Sequence, residues 1–68
     1  MGGREGYSME ELDMLMNAGF SAEFICRDLH AKPRSVARRL QRRGRPADAA
    51  IFDKYDRELT ALEKAVAR

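Results

Sequence analysis

The sequence predicts an all-α protein, in which three short helices are followed by a longer C-terminal fourth helix. Three observations carry this prediction. Two serines each precede a segment with apolar residues at helical spacing. Glycines follow the ends of the first and third such segments. The last third of the chain carries a regular apolar repeat that only a long helix would place on one side. The 68 residues suffice for one small domain.

The first helix is predicted to begin at Ser8 and to end before Gly19. Residues 1–7 contain three glycines and are expected to form a flexible N-terminal arm. Ser8 and Glu11 have the spacing of a capping box, in which each residue satisfies a backbone N–H of the other. Gly19 suits the left-handed position that commonly ends a helix.

Two further short helices are expected before residue 45. Ser21 can cap the second, whose inner face carries Ile25, Cys26 and Leu29 and which should end near His30. Pro33 suits the first turn of the third, because its missing N–H is not needed there. In the third helix, apolar side chains four residues apart mark the inner face, and a glycine ends it; these are Val36, Leu40 and Gly44.

The fourth helix is predicted to run roughly over residues 47–67, after Pro46. Its apolar residues are spaced 3-4-3-4, which is the a/d pattern of a coiled coil, and they are Phe52, Tyr55, Leu59, Leu62 and Val66. The pattern covers only about two heptads. Two alternatives therefore remain open: the seam pairs two chains in a homodimer, or it packs against the other helices of its own chain.

The charges are distributed unevenly along the chain. Residues 27–46 hold eight Lys or Arg and one acidic residue, a net charge of +7. The other 48 residues hold five basic and ten acidic residues, a net charge of −5. A basic segment that coincides with a short helix predicts a surface for a polyanion such as nucleic acid.

The segment from Ser21 to Leu40 resembles the bacterial helix-turn-helix. The likeness is to the homeodomain-like type found in resolvase C-terminal domains, GcrA-type regulators and small phage proteins. Apolar residues stand where that family keeps them, and the small Cys26 stands where its two helices cross closely. With the preceding helix, the resemblance covers about residues 8–44. It implies an arm at residues 1–7, a DNA-binding domain at 8–45 and a C-terminal helix at 46–68.

Two residues depart from the family pattern, and both lie in the turn. His30 occupies a position that usually holds Gly, because the backbone there tends to need a positive φ. Lys32 stands where Ser or Thr usually caps the recognition helix, and a lysine side chain cannot accept a backbone N–H bond. The turn is therefore expected to differ slightly from that of the family.

The third helix is expected to enter the major groove of DNA. Arginine can bond bidentately to guanine, glutamine can do so to adenine, and a small methyl group can touch thymine. The residues predicted to read bases are Arg34, Ala37, Arg38, Gln41 and Arg42.

A second set of residues is expected to contact phosphates or the minor groove. Arg4 lies on the glycine-rich arm, and Arg43-Gly44-Arg45-Pro46 looks like the core of an AT-hook, although Gly44 and Pro46 also suit a simple link between two helices. The full set is Arg4, Arg27, Lys32, Ser35, Arg39, Arg43 and Arg45.

The expected function is sequence-specific binding of double-stranded DNA, as a small transcriptional regulator of phage or mobile-element type. The alternatives are an accessory DNA-binding protein of recombination, packaging or the nucleoid, and an adaptor that binds another protein through the acidic fourth helix. No set of side chains suggests an enzyme, a cofactor, a metal or a small-molecule substrate. One cysteine and no long apolar segment favour a cytoplasmic, nucleoid-associated protein without a membrane anchor.

Overall fold

The computed structural model describes residues 6–66, and this part of the chain is all-α. Between residues 6 and 66 there is no strand. The prediction of three short helices and a longer fourth is confirmed, with bounds within about two residues of those expected. The helices are α1 (Met9–Asn17), α2 (Ala22–Leu29), α3 (Pro33–Arg42) and α4 (Pro46–Val66).

The first two helices begin at the serines that the sequence indicated. Ser8 Oγ accepts a hydrogen bond from Glu11 N–H at 3.1 Å, and the Glu11 carboxylate accepts one from Ser8 N–H at 3.1 Å. This reciprocal pair is the predicted capping box. At α2, Ser21 Oγ accepts from Phe24 N–H at 3.2 Å. Both caps satisfy backbone donors that a helix start leaves without an internal partner.

The ends of α1 and α3 are set by glycine. Gly19 has a φ of 90° and Gly44 a φ of 74°. After α3, Gly44 N–H donates to Gln41 C=O at 3.0 Å and Arg45 N–H donates to Leu40 C=O at 3.0 Å. These two bonds form a Schellman motif, which needs a left-handed residue at its centre. A side chain with a Cβ would be strained at either glycine.

The residue after α2 has a left-handed backbone, as the resemblance to the helix-turn-helix predicted for this position. His30 has φ 54° and ψ 44°, so it is a left-handed residue with a Cβ atom. Lys32, at the N-cap of α3, makes no side-chain cap bond. The turn thus has a left-handed residue at position 30, and α3 starts without a side-chain cap.

The contacts divide the chain into two compact units, one up to Ala31 and one from Lys32 onward. In the first unit, the buried side chains are Leu12 from α1, Ile25, Cys26 and Leu29 from α2, and Tyr7 from the segment before α1. Phe20 and Phe24 remain exposed and stack on each other, with ring centroids 4.4 Å apart and planes inclined by 21°.

The second unit is a pair of helices, since α3 packs against α4. Its fully buried side chains include Val36 and Leu40 from α3 and Ala49 and Phe52 from α4. An α-helix rises about 1.5 Å per residue, so the 21 residues of α4 span about 31 Å and the 10 residues of α3 about 15 Å. Helix α3 is therefore too short to pack along the whole length of α4.

Candidate nucleic-acid interface

Helix α3 separates its apolar and basic residues on two faces. The buried face consists of Pro33, Val36, Ala37 and Leu40. The exposed face carries Arg34, Arg38, Gln41 and Arg42. Arg34, Arg38 and Arg42 follow one another at intervals of four residues, and Gln41 lies three residues after Arg38 on the same side. The helix has no acidic residue. We call the four exposed residues the α3 reading face.

Two arginines of the α3 reading face are available to a ligand. Arg38 and Arg42 form no ion pair with any carboxylate of residues 6–66. They are exposed, as is Gln41. Unpaired guanidinium groups on a rigid helix keep all of their N–H donors for an incoming partner. The structure places these three predicted base-reading residues on one surface.

The predicted role of Ala37 is corrected by the structure. The side chain is only 2% exposed, so its methyl group belongs to the core and is not available to touch a thymine. Ala37 lies at the border between the two faces of α3, and alanine is too small and too weakly apolar for periodicity to assign it to either. Its small volume instead allows tight packing of the helix.

Arg34, the first residue of the α3 reading face, has an acidic neighbour on α4. Its Nε atom lies 3.8 Å from Asp56 Oδ2. The arginine side chain is 73% exposed, whereas that of the aspartate is only 26% exposed. The pair stands at the edge of a groove of about 490 Å³ between the start of α3 and the middle of α4. The groove is lined by Lys32, Pro33, Arg34, Ser35, Asp56, Leu59, Thr60 and Glu63.

The predicted phosphate-binding residues of the second unit lie around the same helix. Lys32 and Ser35 line the groove, and Lys32 is exposed. Arg39 is partly exposed, on the side of α3 away from Arg34, and Arg43 is exposed at the C-terminal end. Basic groups therefore flank the α3 reading face at both ends. Their contact with phosphates remains a prediction.

The segment Arg43-Gly44-Arg45-Pro46 forms the link between α3 and α4. Gly44 is the left-handed residue of the Schellman motif and Pro46 is the first residue of α4. The Arg45 guanidinium donates to Asp48 Oδ2 from Nε at 2.9 Å, and its Nη2 lies 2.8 Å from the same oxygen. In this structure Arg45 stabilises the start of α4, and contact of the segment with the minor groove remains a prediction.

Two predicted contact residues belong to the other part of the chain. Arg27, on α2, is exposed and pairs with Glu23 at 3.1 Å, one helical turn earlier. Arg4 lies outside the described residues. The structure thus brings together the predicted DNA-contacting residues from Lys32 onward, and Arg27 stands in the separate unit that ends at Ala31.

The apolar seam of α4 is divided between two environments. Phe52 is fully buried, while Tyr55 and Leu59 are partly exposed. Leu62 is 62% exposed and Val66 is 81% exposed. The first heptad therefore packs within the chain, as one alternative predicted. The end of the second heptad is not buried by any part of residues 6–66.

Sequence reasoning missed three residues that line the groove on α4. Asp56, Thr60 and Glu63 were not among the predicted site residues. One signal could have found them, because spacings of four and three residues place all three on the same side of the helix, next to the apolar seam. A polar row beside an apolar seam often flanks a neighbouring helix.

The chemistry available elsewhere in the described chain is limited. Between residues 6 and 66, no group of three or more His, Cys, Asp or Glu side chains could hold a metal ion. None of the helices in that range combines the length and the apolar content that crossing a bilayer requires.

Burial raises the pKa of the Cys26 thiol from 9.0 to about 11. The thiol is therefore protonated and weakly nucleophilic at neutral pH.

Comparison of the chain with protein-family models, with curated proteins and with solved structures finds no match.

Proposed function

We propose that this protein binds double-stranded DNA in a sequence-specific manner, with α3 as the recognition helix. The observation that carries the proposal is the α3 reading face, an exposed row of three arginines and a glutamine on a helix whose other side is buried. We further propose that the protein is a small transcriptional regulator of phage or mobile-element type. An accessory role in recombination, packaging or nucleoid structure would use the same surface.

The dimensions of the row suit the major groove. Arg34 and Arg42 are eight residues apart, which corresponds to about 12 Å along the helix axis. The major groove of B-form DNA is about 12 Å wide, close to the diameter of about 10–12 Å of one α-helix, and the row is as long as about three to four base pairs of about 3.4 Å rise each. Arginines at such intervals can reach the edges of successive bases, where guanine offers two acceptors to one guanidinium.

The surrounding charges favour a nucleic acid over a neutral ligand. Residues 27–46 carry a net charge of +7. Phosphate contacts by Lys and Arg supply most of the affinity for DNA in general, while contacts to base edges select the sequence. Lys32 and Arg43, beyond the two ends of the α3 reading face, are placed to supply the first kind of contact.

Duplex binding as a function of salt tests the proposal. A binding site is first selected from a pool of random duplexes, and affinity is then measured by fluorescence anisotropy. We expect a defined sequence motif and a loss of about two orders of magnitude or more between about 50 and about 200 mM salt. The double variant Arg38→Gln/Arg42→Gln should lose binding. Its matched control is Arg57→Gln/Lys64→Gln, which removes two exposed positive charges from α4 instead.

A second candidate function rests on a different observation. The C-terminal part of α4 exposes Leu62 and Val66 beside Glu58 and Glu63, which is the pattern of a helix that binds another protein. An adaptor of this kind would show no affinity for any duplex at low salt. A selected DNA motif together with loss of binding in the Arg38→Gln/Arg42→Gln variant would rule this candidate out as the main function.

A further inference from the structure

We propose that Asp56 is a positioning residue that sets the sequence specificity of Arg34. The inference rests on the proposed function, because it concerns how one residue of the α3 reading face chooses between bases and phosphates. Asp56 is on α4, outside the recognition helix, and would not itself contact DNA.

Arg34 is attracted by the Asp56 carboxylate but is not hydrogen-bonded to it. The distance from Arg34 Nε to Asp56 Oδ2, 3.8 Å, is too long for a hydrogen bond but short enough for charge attraction. The nitrogen that approaches the carboxylate is Nε, and the terminal Nη groups form no hydrogen bond with a residue of the described chain. Those terminal groups are the ones that can bond end-on to the O6 and N7 atoms of guanine.

The two side chains differ in exposure, and Asp56 is the less mobile of the pair. Asp56 is partly buried against the groove, with 26% of its side chain exposed, and Arg34 is 73% exposed. A shorter side chain on a long helix also has fewer conformations to lose than an arginine. The aspartate therefore acts as a fixed negative charge, and the arginine orients with respect to it.

Arg34 is distinct from the other arginines of the α3 reading face in this respect. Arg38 and Arg42 have no carboxylate of residues 6–66 within ion-pair distance. Around the groove, the charged groups are Lys32, Arg34, Asp56 and Glu63, so two carboxylates balance two cations there. The start of α3 is consequently less positive than its middle, and the net attraction for phosphates is weaker at Arg34.

This charge arrangement discriminates between two uses of Arg34. To reach a backbone phosphate, the guanidinium must turn away from Asp56, and the phosphate must approach a carboxylate of the same sign. To reach a guanine, the terminal Nη groups can bond to the base while Nε stays beside the carboxylate. Asp56 thus lowers binding to arbitrary duplexes more than binding to a site with guanine at this position.

The test compares the variant Asp56→Asn with the control Asp53→Asn, which removes the same charge one turn earlier on α4 and outside the groove. Affinity is measured for the selected site and for a scrambled duplex of equal length and composition. We expect Asp56→Asn to raise the affinity for the scrambled duplex about two- to fivefold, the range that a single exposed ion pair can supply. The ratio of specific to non-specific affinity should fall accordingly, whereas Asp53→Asn should leave that ratio unchanged.

A second measurement separates positioning from plain charge repulsion. In an Arg34→Ala background, Asp56→Asn should no longer change the ratio, because the residue through which it acts is absent. A change of the same size in that background would overturn the inference. Arg34→Lys, which retains the charge but has no Nε side to face Asp56, should lower the ratio as Asp56→Asn does.

The outcomes for the inference and for the proposed function are distinguishable. A wild-type protein that selects a motif, combined with an unchanged ratio in Asp56→Asn, overturns the inference alone. A wild-type protein that binds no duplex at low salt overturns the proposed function and the inference with it. Equal melting temperatures of the wild type and Asp56→Asn, followed by circular dichroism, show that the comparison is made between folded proteins.

Discussion

Two nitrogen atoms of Arg45 meet one oxygen of Asp48, at 2.9 Å from Nε and 2.8 Å from Nη2, in the first turn of α4. The side chains are about one-third exposed. The aspartate also lies where the helix dipole favours a negative charge. One residue pair thus stabilises both the link after α3 and the start of α4.

We predict that Asp48→Asn destabilises the protein by about 0.5–1.5 kcal/mol, since it removes the ion pair and the favourable charge near the helix N-terminus. Urea unfolding monitored by circular dichroism measures the change. Glu58→Gln, an exposed carboxylate further along α4, is the control and should change the free energy of unfolding by less than about 0.5 kcal/mol. Equal effects of the two variants would contradict the role of Asp48.

A left-handed residue with a Cβ atom costs conformational energy, and His30 is such a residue. We predict that His30→Gly stabilises the protein by about 0.5–1 kcal/mol, because glycine adopts φ 54° without that cost. Unfolding in guanidinium chloride measures it. His30→Ala removes the imidazole but keeps the Cβ, so it should give no such gain. A loss of stability in His30→Gly would show that the imidazole itself is needed.

Arg38 is central on the α3 reading face, and Arg43 lies at its end. We predict that Arg38→Ala weakens binding to the selected DNA site by about 1–3 kcal/mol and relaxes the preference at one base pair. Arg43→Ala removes an equal charge and should weaken all duplexes about equally, with a salt slope smaller by about one. Arg39→Ala is expected to behave like Arg43→Ala. Affinity measurements on a set of single-base variants of the site distinguish the two patterns, and a uniform loss with Arg38→Ala would make it a phosphate contact.

Substitutions at the exposed end of the α4 seam test whether two chains pair. If they do, Leu62→Asp should convert a dimer into a monomer and leave the helix content nearly unchanged, because Leu62 is 62% exposed within the chain. Phe52→Ala is the contrasting variant, since truncating a fully buried phenylalanine costs about 3–5 kcal/mol. Sedimentation velocity over a range of concentrations gives the oligomeric state. A wild-type protein that sediments as a monomer at every concentration, with and without DNA, would exclude pairing.

Cys26 gives the stability a defined dependence on alkaline pH. Burial raises the pKa of its thiol from 9.0 to about 11, so the folded protein disfavours the thiolate. Its contribution is fully present below pH 9 and is lost as the pH rises towards 11, at about 1.4 kcal/mol per pH unit. Cys26→Ala should show a smaller loss of stability than the wild type between pH 9 and 10. The thiol of the native protein should also react with iodoacetamide far more slowly at pH 8 than after unfolding.

Local sequence signals were sufficient for the helix limits. Ser8 with Glu11, and Gly44 with its Schellman bonds, act through residues no more than five positions apart, so the sequence specifies their geometry directly. The left-handed backbone of His30 was expected from the resemblance to the helix-turn-helix, in which this turn position usually holds glycine.

Contacts between residues distant in sequence were harder to predict. Arg34 and Asp56 are 22 positions apart, and their approach depends on how α3 and α4 cross, which periodicity does not specify. The burial of Ala37 depends on the same packing. The apolar seam of α4 is buried at one end and exposed at the other because α3 is shorter than α4. A repeat of apolar residues alone does not show how far along the helix the seam is buried.

The alternation of core and surface along α3 has a consequence for how such a chain can evolve. Pro33, Val36, Ala37 and Leu40 carry the packing, and the side chains between them are exposed or partly exposed. Substitutions at exposed positions usually change stability by no more than about 0.5 kcal/mol. The α3 reading face can therefore diverge, or be randomised in a library, while the scaffold beneath it stays folded.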